Sequence, residues 1–217
     1  MLNLFALRLP VPTPLAARAG ALCLGLSLAG AVLADAPPAV VEEPAPVVAA
    51  GPQVSIKTTM GEIVLELDQE KAPKTVANFL QYVKSGNYNG TIFHRVIDGF
   101  MIQAGGMDAK FAPRPTKKPI KNESNNGLSN VAYSVAMARE NAPDSATNQW
   151  FINVANNTGL DQPNIKGSGY AVFGKVIAGQ EVVDKIKGVV VDDPKPHLQN
   201  VPVIPIVIKS ATVVKKK

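Results

Sequence analysis

Cysteine is almost absent from this chain of 217 residues, and the single one, Cys23, lies in the N-terminal apolar segment. A disulfide framework is therefore excluded from the rest of the molecule. Histidine is nearly as scarce, with only His94 and His197. With two histidines and no further cysteine, a zinc-type ligand cluster has too few donors. His197 sits in the polar, Pro-rich DDPKPHLQNVP and reads as exposed, whereas His94 reads as a hydrogen-bonded core residue within a strand. No serine carries the surroundings of a hydrolase nucleophile. The Gly105-Gly106 pair is too short for a phosphate-binding loop, Asn157-Thr158-Gly159 reads as a turn, and no internal repeat is visible. No metal or cofactor is expected.

Charge excludes little else. The formal net charge is +5, and without Arg8 and Arg18 the basic residues fall from 22 to 20 against 17 acidic, a net +3. Part of that excess is the tail Lys215-Lys216-Lys217, which reads as solvated. This is too modest a balance for a nucleic-acid partner.

Residues 1–34 read as a secretory signal peptide. Arg8 and Arg18 precede an uncharged run of 16 residues, Ala19 to Ala34, with small residues Ala34 and Ala36 at a cleavage site. The run is shorter than the ~20 residues of a spanning helix, so no stable membrane insertion is expected after cleavage. Residues 35–53 begin DAPPAVVEEPAPVVAAGP, rich in proline and alanine without a hydrophobic period, and read as a flexible spacer.

The folded part is expected over residues 54–214, with residues 215–217 as a basic tail. Val54, Ile56 and Thr58, then Ile63, Leu65 and Leu67, alternate about Met60-Gly61 as a β-hairpin. In APKTVANFLQYVKSG, Pro73 suits a first helical turn and Gly86 a stop, and Val76, Phe79, Leu80 and Val83 follow a helical period. Short strands follow at TIFHRV, FMIQAG, YSVAMA, QWFINV and YAVFGKV, then a helix at EVVDKIK and a last strand at VIPIVIKSATVV. Many antiparallel strands with two helices point to a barrel or a sandwich.

One stretch needs an explanation. FHRVIDGFMIQAGG, residues 93–106, places the permanent charge of Arg95 among Phe93, Val96, Ile97, Phe100 and Met101. An unpaired buried charge is costly, so Arg95 is either paired or faces a cleft. Asp98-Gly99 marks a hairpin turn. A two-residue loop places Arg95 opposite Ile102, and a three-residue loop places it opposite Gln103. The second gathers Arg95, Ile97, Met101 and Gln103 on one face. The sequence leaves both registers open.

FHRVIDGFMIQAGG, followed in order by SVAMAR, NQWFINV and YAVFGKV, resembles the cyclophilin family of peptidyl-prolyl cis-trans isomerases over Val54–Val214. With the leader, the resemblance is to the exported, periplasmic bacterial branch. It implies a mainly β fold, a closed eight-stranded antiparallel β-barrel capped by two α-helices. It further implies that Arg95 is the catalytic arginine. Phe100, Met101, Phe151 and Leu160 are implied as walls of a proline pocket, Gln103 as the glutamine holding the substrate backbone, and Gln149 as a further polar cleft residue. Ala138 and Arg139 fall where the family pairs its main chain with the peptide. Tyr170 stands where many relatives carry histidine, and Trp150, next to the pocket, where phenylalanine is common; Gly159 stands where relatives carry an aromatic, and that departure implies weakened cyclosporin binding. The implied substrates are proline-containing unfolded or partly folded polypeptides, handled by a monomer. A peptide-binding chaperone module with incidental isomerase activity is the alternative.

Overall fold

The computed structural model describes residues 51–162 and 168–215. The expected signal peptide, nearly all of the spacer, and Lys216 and Lys217 lie outside the described residues.

Strands β1 (Gln53–Thr58) and β2 (Glu62–Leu67) form the expected hairpin, pairing Ile56 with Ile63 and Val54 with Leu65. Their alternating apolar side chains all turn inward: Val54, Ile56, Ile63 and Leu65 are fully buried, while Lys57 is exposed. Helix α1 (Pro73–Lys84) begins with Pro73 in its first turn and buries Val76, Phe79, Tyr82 and Val83. Ala72 supplies no side-chain cap there. Instead the carboxylate of Glu123, 49 residues downstream, accepts the N–H groups of Lys74 (3.1 Å) and Thr75 (2.9 Å). An anion thus satisfies the unbonded donors at the positive end of the helix.

Strands β3 (Thr91–Ile97), β4 (Met101–Asp108), β5 (Ser134–Met137), β6 (Trp150–Asn153) and β7 (Val172–Ala178) follow, then helix α2 (Gln180–Lys187). A two-residue ribbon, β8 (Val191–Asp192) with β9 (Val201–Pro202), and strand β10 (Ile208–Val213) complete the order. The eight-stranded antiparallel sheet runs β10-β1-β2-β7-β5-β6-β4-β3. Its two edges meet where Phe93 N–H donates to Ile206 C=O (3.0 Å) and Gly90 N–H to Ile208 C=O (2.8 Å), closing the barrel. Closure removes the exposed strand edges that invite aggregation. The barrel interior packs Phe93, Ile102, Val135, Trp150, Ile152 and Phe173 together with the inward faces of β1, β2 and both helices.

Two expectations change here. The last strand is shorter than VIPIVIKSATVV, because Val203, Ile204 and Pro205 leave the sheet and lie exposed. Pro202 and Pro205 have no N–H to give a ladder. Trp150 does not border the outer pocket. It is buried inside the barrel, edge-on to Phe79 (5.8 Å between centroids) and Phe93 (5.9 Å).

Candidate active site

The β3–β4 connection is the three-residue loop Asp98-Gly99-Phe100, with Gly99 in the left-handed region at φ 72°. Of the two registers open to the sequence, this loop selects the one with Arg95 opposite Gln103 and Ile97 opposite Met101. A bulge between Phe93 and Arg95 shifts the pairing by one residue. Without it, residues 93 and 95 would share a face. With it, Phe93 enters the barrel core while Arg95 does not.

The ladder continues across the sheet. Gln103 pairs with Phe151, Phe151 with Ala136, and Ala136 with Val172. Arg95, Gln103, Phe151, Ala136 and Val172 therefore form one row across five strands on the outer face of the barrel. Met101, Ala136, Phe151 and Val172 are buried there in an apolar cluster separate from the barrel interior. Phe100, Ala138, Leu160 and Tyr170 pack against it, and the Tyr170 ring meets Phe151 edge-on at 5.7 Å. Five apolar side chains named from the sequence, Phe100, Met101, Phe151, Leu160 and Tyr170, thus meet at one place.

The polar rim lies at the Arg95 end of the row. Gln103 Nε2 donates to Gln149 Oε1 at 2.8 Å. Gly106 fits tightly beneath, since a Cβ there would sit 2.7 Å from Gln149 Cδ. This close approach accounts for Gly106; Gly105 has a φ of 93° and would bring a Cβ 2.6 Å from the Asn148 carbonyl. His94, beside Arg95, is buried, and burial pushes its imidazole down to about 4. The nearby Arg95 charge adds to that effect, and contacts with the Ile92 backbone and the Gln149 side chain oppose it. His94 is thus neutral at physiological pH. Arg95 is half-buried, and among the described residues its guanidinium makes neither a hydrogen bond nor an ion pair. Among the described residues the charge is therefore not paired, and it stands at the edge of the apolar cluster.

Arg139 is positioned differently. Its side chain donates to the carbonyls of Gly169 (3.1 Å), Ser168 (2.6 Å) and Glu140 (2.9 Å) and lies over the Tyr170 ring at 4.7 Å. The side chain is engaged in holding Tyr170. In the main chain beside it, Ala138 N–H donates to Gln149 C=O (3.0 Å), whereas among the described residues the Arg139 N–H has no backbone partner. At Gly159 a Cβ would meet nothing within 4 Å, so the wall that an aromatic would form is empty space. A groove of about 980 Å³, lined by Leu67, Lys71, Lys175, Leu128 and Val172, shares Val172 with the apolar cluster and includes neither Arg95 nor Gln103.

The model of the cyclophilin type peptidyl-prolyl cis-trans isomerase family matches residues 53–213. This chain belongs to that family. It is 56% identical over 164 residues to a peptidyl-prolyl cis-trans isomerase of Streptomyces antibioticus, covering 74% of this chain and 97% of the relative. It is 51% identical over 162 residues to peptidyl-prolyl cis-trans isomerase B of Escherichia coli (strain K12), covering 74% and 98%. Among solved structures, a cyclophilin type isomerase of Cryptosporidium parvum superposes with a TM-score of 0.62 at 26% identity, covering 76% of this chain and 99% of that one. The chain is a peptidyl-prolyl cis-trans isomerase whose substrates are proline-containing peptides. Among the described residues no helix is long and apolar enough to cross a membrane.

Sequence reasoning missed a set of polar residues behind the pocket, Asn130, Asn153, Asn157 and Asp161. Asn153, Asn157 and Asp161 recur four residues apart along one segment, a spacing that could have flagged them, whereas Asn130 joins them from another segment.

Proposed function

We propose that this isomerase accelerates X-Pro rotation in exported proteins as they fold, with Arg95 as its catalytic group. The observation that carries the reading is the guanidinium of Arg95, unpaired among the described residues, in one row with Gln103 and Phe151, beside the apolar cluster. Phe100, Met101, Phe151, Leu160 and Tyr170 hold the prolyl ring. Gln103 and Gln149 hold the adjacent peptide group, and the main chain of Ala138 and Arg139 pairs with the flanking residues.

The chemistry follows from the amide. Conjugation of the nitrogen lone pair gives a rotation barrier of ~18–20 kcal/mol. Exchange of X-Pro bonds consequently takes ~10–100 s unaided. At the twisted transition state conjugation is lost and the prolyl nitrogen becomes pyramidal and basic. A guanidinium aimed at that lone pair binds the twisted state more tightly than either planar isomer. Arginine suits the task because it stays protonated and presents fixed donors. A turnover of ~10³ s⁻¹ corresponds to a barrier of ~13 kcal/mol, a reduction of roughly 5–7 kcal/mol. One charge-assisted hydrogen bond contributes ~1.5–3 kcal/mol. The rest comes from the pocket fixing the prolyl ring while the flanking chain is held.

Residues 1–34 act as a cleaved signal peptide that directs the chain to the periplasm, and residues 35–53 as a spacer. The domain works as a monomer, on unfolded chains and not on nucleic acid, and does not stay inserted in a membrane. A second reading, a chaperone module that holds peptides, draws support from the open space at Gly159. Two client assays separate the readings. A client whose refolding is limited by proline isomerisation should refold faster with wild type and not with Arg95→Ala. Protection of a Pro-free client from aggregation would instead support the chaperone module. Export is tested by the mass of the periplasmic protein, which should lack about the first 34 residues.

A further inference from the structure

Two walls of the pocket, Phe100 and Leu160, arise on separate elements, and the end of β6 reaches Phe100 by one backbone bond, Val154 N–H to the Phe100 C=O (3.0 Å). Phe100 ends the β3–β4 loop, and Leu160 ends a 3-10 turn, Thr158–Leu160. Side-chain hydrogen bonds connect them. Asn157 Nδ2 donates to the carbonyl of Phe100 at 2.7 Å and to Asn153 Oδ1 at 2.7 Å. Asn153, fully buried, donates to Asn130 Oδ1 (3.1 Å) and to Ser134 Oγ (2.9 Å). Asn130, also fully buried, donates from Nδ2 to Asp161 Oδ1 at 2.7 Å and to the Tyr170 carbonyl at 3.3 Å. The Asp161 carboxylate further accepts the Asn130 N–H (2.8 Å) and the Ser129 hydroxyl. Backbone bonds complete the frame: Leu160 N–H donates to Asn157 C=O (2.8 Å), and Tyr170 N–H to Leu160 C=O (2.9 Å).

We infer that Asn157, backed by the Asn153–Asn130–Asp161 chain, is a positioning residue for isomerisation. It sets the spacing of Phe100 and Leu160 about the prolyl ring. This inference rests on the isomerase reading of the pocket. Both Nδ2 hydrogens of Asn157 are spent, one on the Phe100 carbonyl and one on Asn153, so the amide ties the Leu160 turn to the loop beside the Val154–Phe100 backbone bond. A radial gap of about 0.5–1 Å between wall and ligand already loses a quarter to a half of the dispersion contact. Asn157 touches no reacting atom in this account. Its loss weakens the hold on proline and leaves Arg95 in place.

Asn157→Asp tests it, with a short Ala-Pro peptide as probe. At about pH 8 the carboxylate has no donor for the Phe100 carbonyl. KM, and the peptide Kd read by NMR titration, should rise about 2–10-fold over wild type, with kcat within about twofold. At about pH 3, below the ordinary carboxylate value of about 3.9 and with circular dichroism confirming the fold, the carboxyl is protonated and regains one O–H donor, so the ratio to wild type at the same pH should shrink. Asn157→Leu, which has no donor at any pH, should keep its ratio raised at both. A wild-type KM and Kd in Asn157→Asp at about pH 8 would overturn the inference. So would a ratio that does not change with pH, or a fall in kcat with KM unchanged. The two failures are distinguishable: no acceleration of exchange by wild type would sink the isomerase reading and this inference with it, whereas a wild-type Kd in Asn157→Asp beside an active wild type would sink the positioning role alone.

Discussion

Arg95 and Gln103 face each other directly across the β3–β4 ladder, and Gln103 is tied in turn to Gln149 at 2.8 Å. The pair puts a permanent cation and an amide side by side on the outer face, above an apolar cluster. Because Gln149 accepts from Gln103 Nε2, the Gln103 amide oxygen has no hydrogen-bond donor among the described residues, and in the proposed reading it receives a peptide N–H.

The first prediction concerns that amide. Gln103→Ala removes a holding group and leaves the cation. It should raise KM for an X-Pro peptide about 3–10-fold, the loss of one hydrogen bond of ~0.5–1.5 kcal/mol, with a smaller fall in kcat. Steady-state kinetics on the folded variant checks it. A fall in kcat with unchanged KM would place Gln103 at the reacting bond instead.

His94 gives a prediction about pH. Its folded pKa is lowered by burial to about 4 from an ordinary 6.5. Between those values the unfolded chain binds the proton and the folded one does not, so stability falls as pH drops from about 6.5 towards 4 and levels off below. The neutral-pH contribution is fully present above about 6.5. A difference of that size corresponds to about 3 kcal/mol. Urea denaturation at about pH 7.5 and 4.5 should show the loss in wild type and much less of it in His94→Leu. Equal losses in both proteins would assign the pH dependence to other groups. Asp161 and Asp184 also have folded pKa values below the ordinary carboxylate range, for Asp161 because hydrogen bonds from Ser129 and Asn130 outweigh its desolvation, and for Asp184 chiefly because of Lys187. Their stabilising effect is lost below the carboxylate range, at lower pH than the His94 window.

A third prediction uses the empty wall. Gly159 is exposed, is not in the left-handed region, and has open space where a side chain would begin. Gly159→Phe should fold normally and lower the Kd for a proline peptide or for cyclosporin. An added contact of ~50 Å² contributes ~1.2 kcal/mol, a change of about sevenfold. Isothermal titration checks it. Unchanged affinity would mean that a residue at this position does not reach the ligand.

Much of this architecture was legible in advance, for local reasons. The β1–β2 hairpin follows from strict alternation, and α1 from Pro73, Gly86 and the 3.6 period of Val76, Phe79 and Val83. The pocket residues follow from the resemblance carried by FHRVIDGFMIQAGG. What stayed hidden depends on long-range pairing. Local turn chemistry did not choose between two- and three-residue loops at Asp98-Gly99, so whether Arg95 faced Gln103 was open. The bulge at Phe93–Arg95 leaves no mark in the sequence. Glu123 capping α1, and Asn157 reaching Phe100 across 57 positions, are contacts between residues far apart in the chain. The last strand was overextended because its apolar run outweighed the two prolines that end the ladder.

The account turns on Arg95. Cis-trans exchange of a short Ala-Pro peptide, measured by NMR with wild type and with Arg95→Ala, tests it most directly, with circular dichroism confirming that both are folded. Wild type should accelerate exchange well above the uncatalysed rate, and Arg95→Ala should lose roughly tenfold or more, at least ~1.4 kcal/mol of transition-state stabilisation. An Arg95→Ala protein that is folded and as fast as wild type would contradict the assignment of Arg95 as the group that meets the rotating amide.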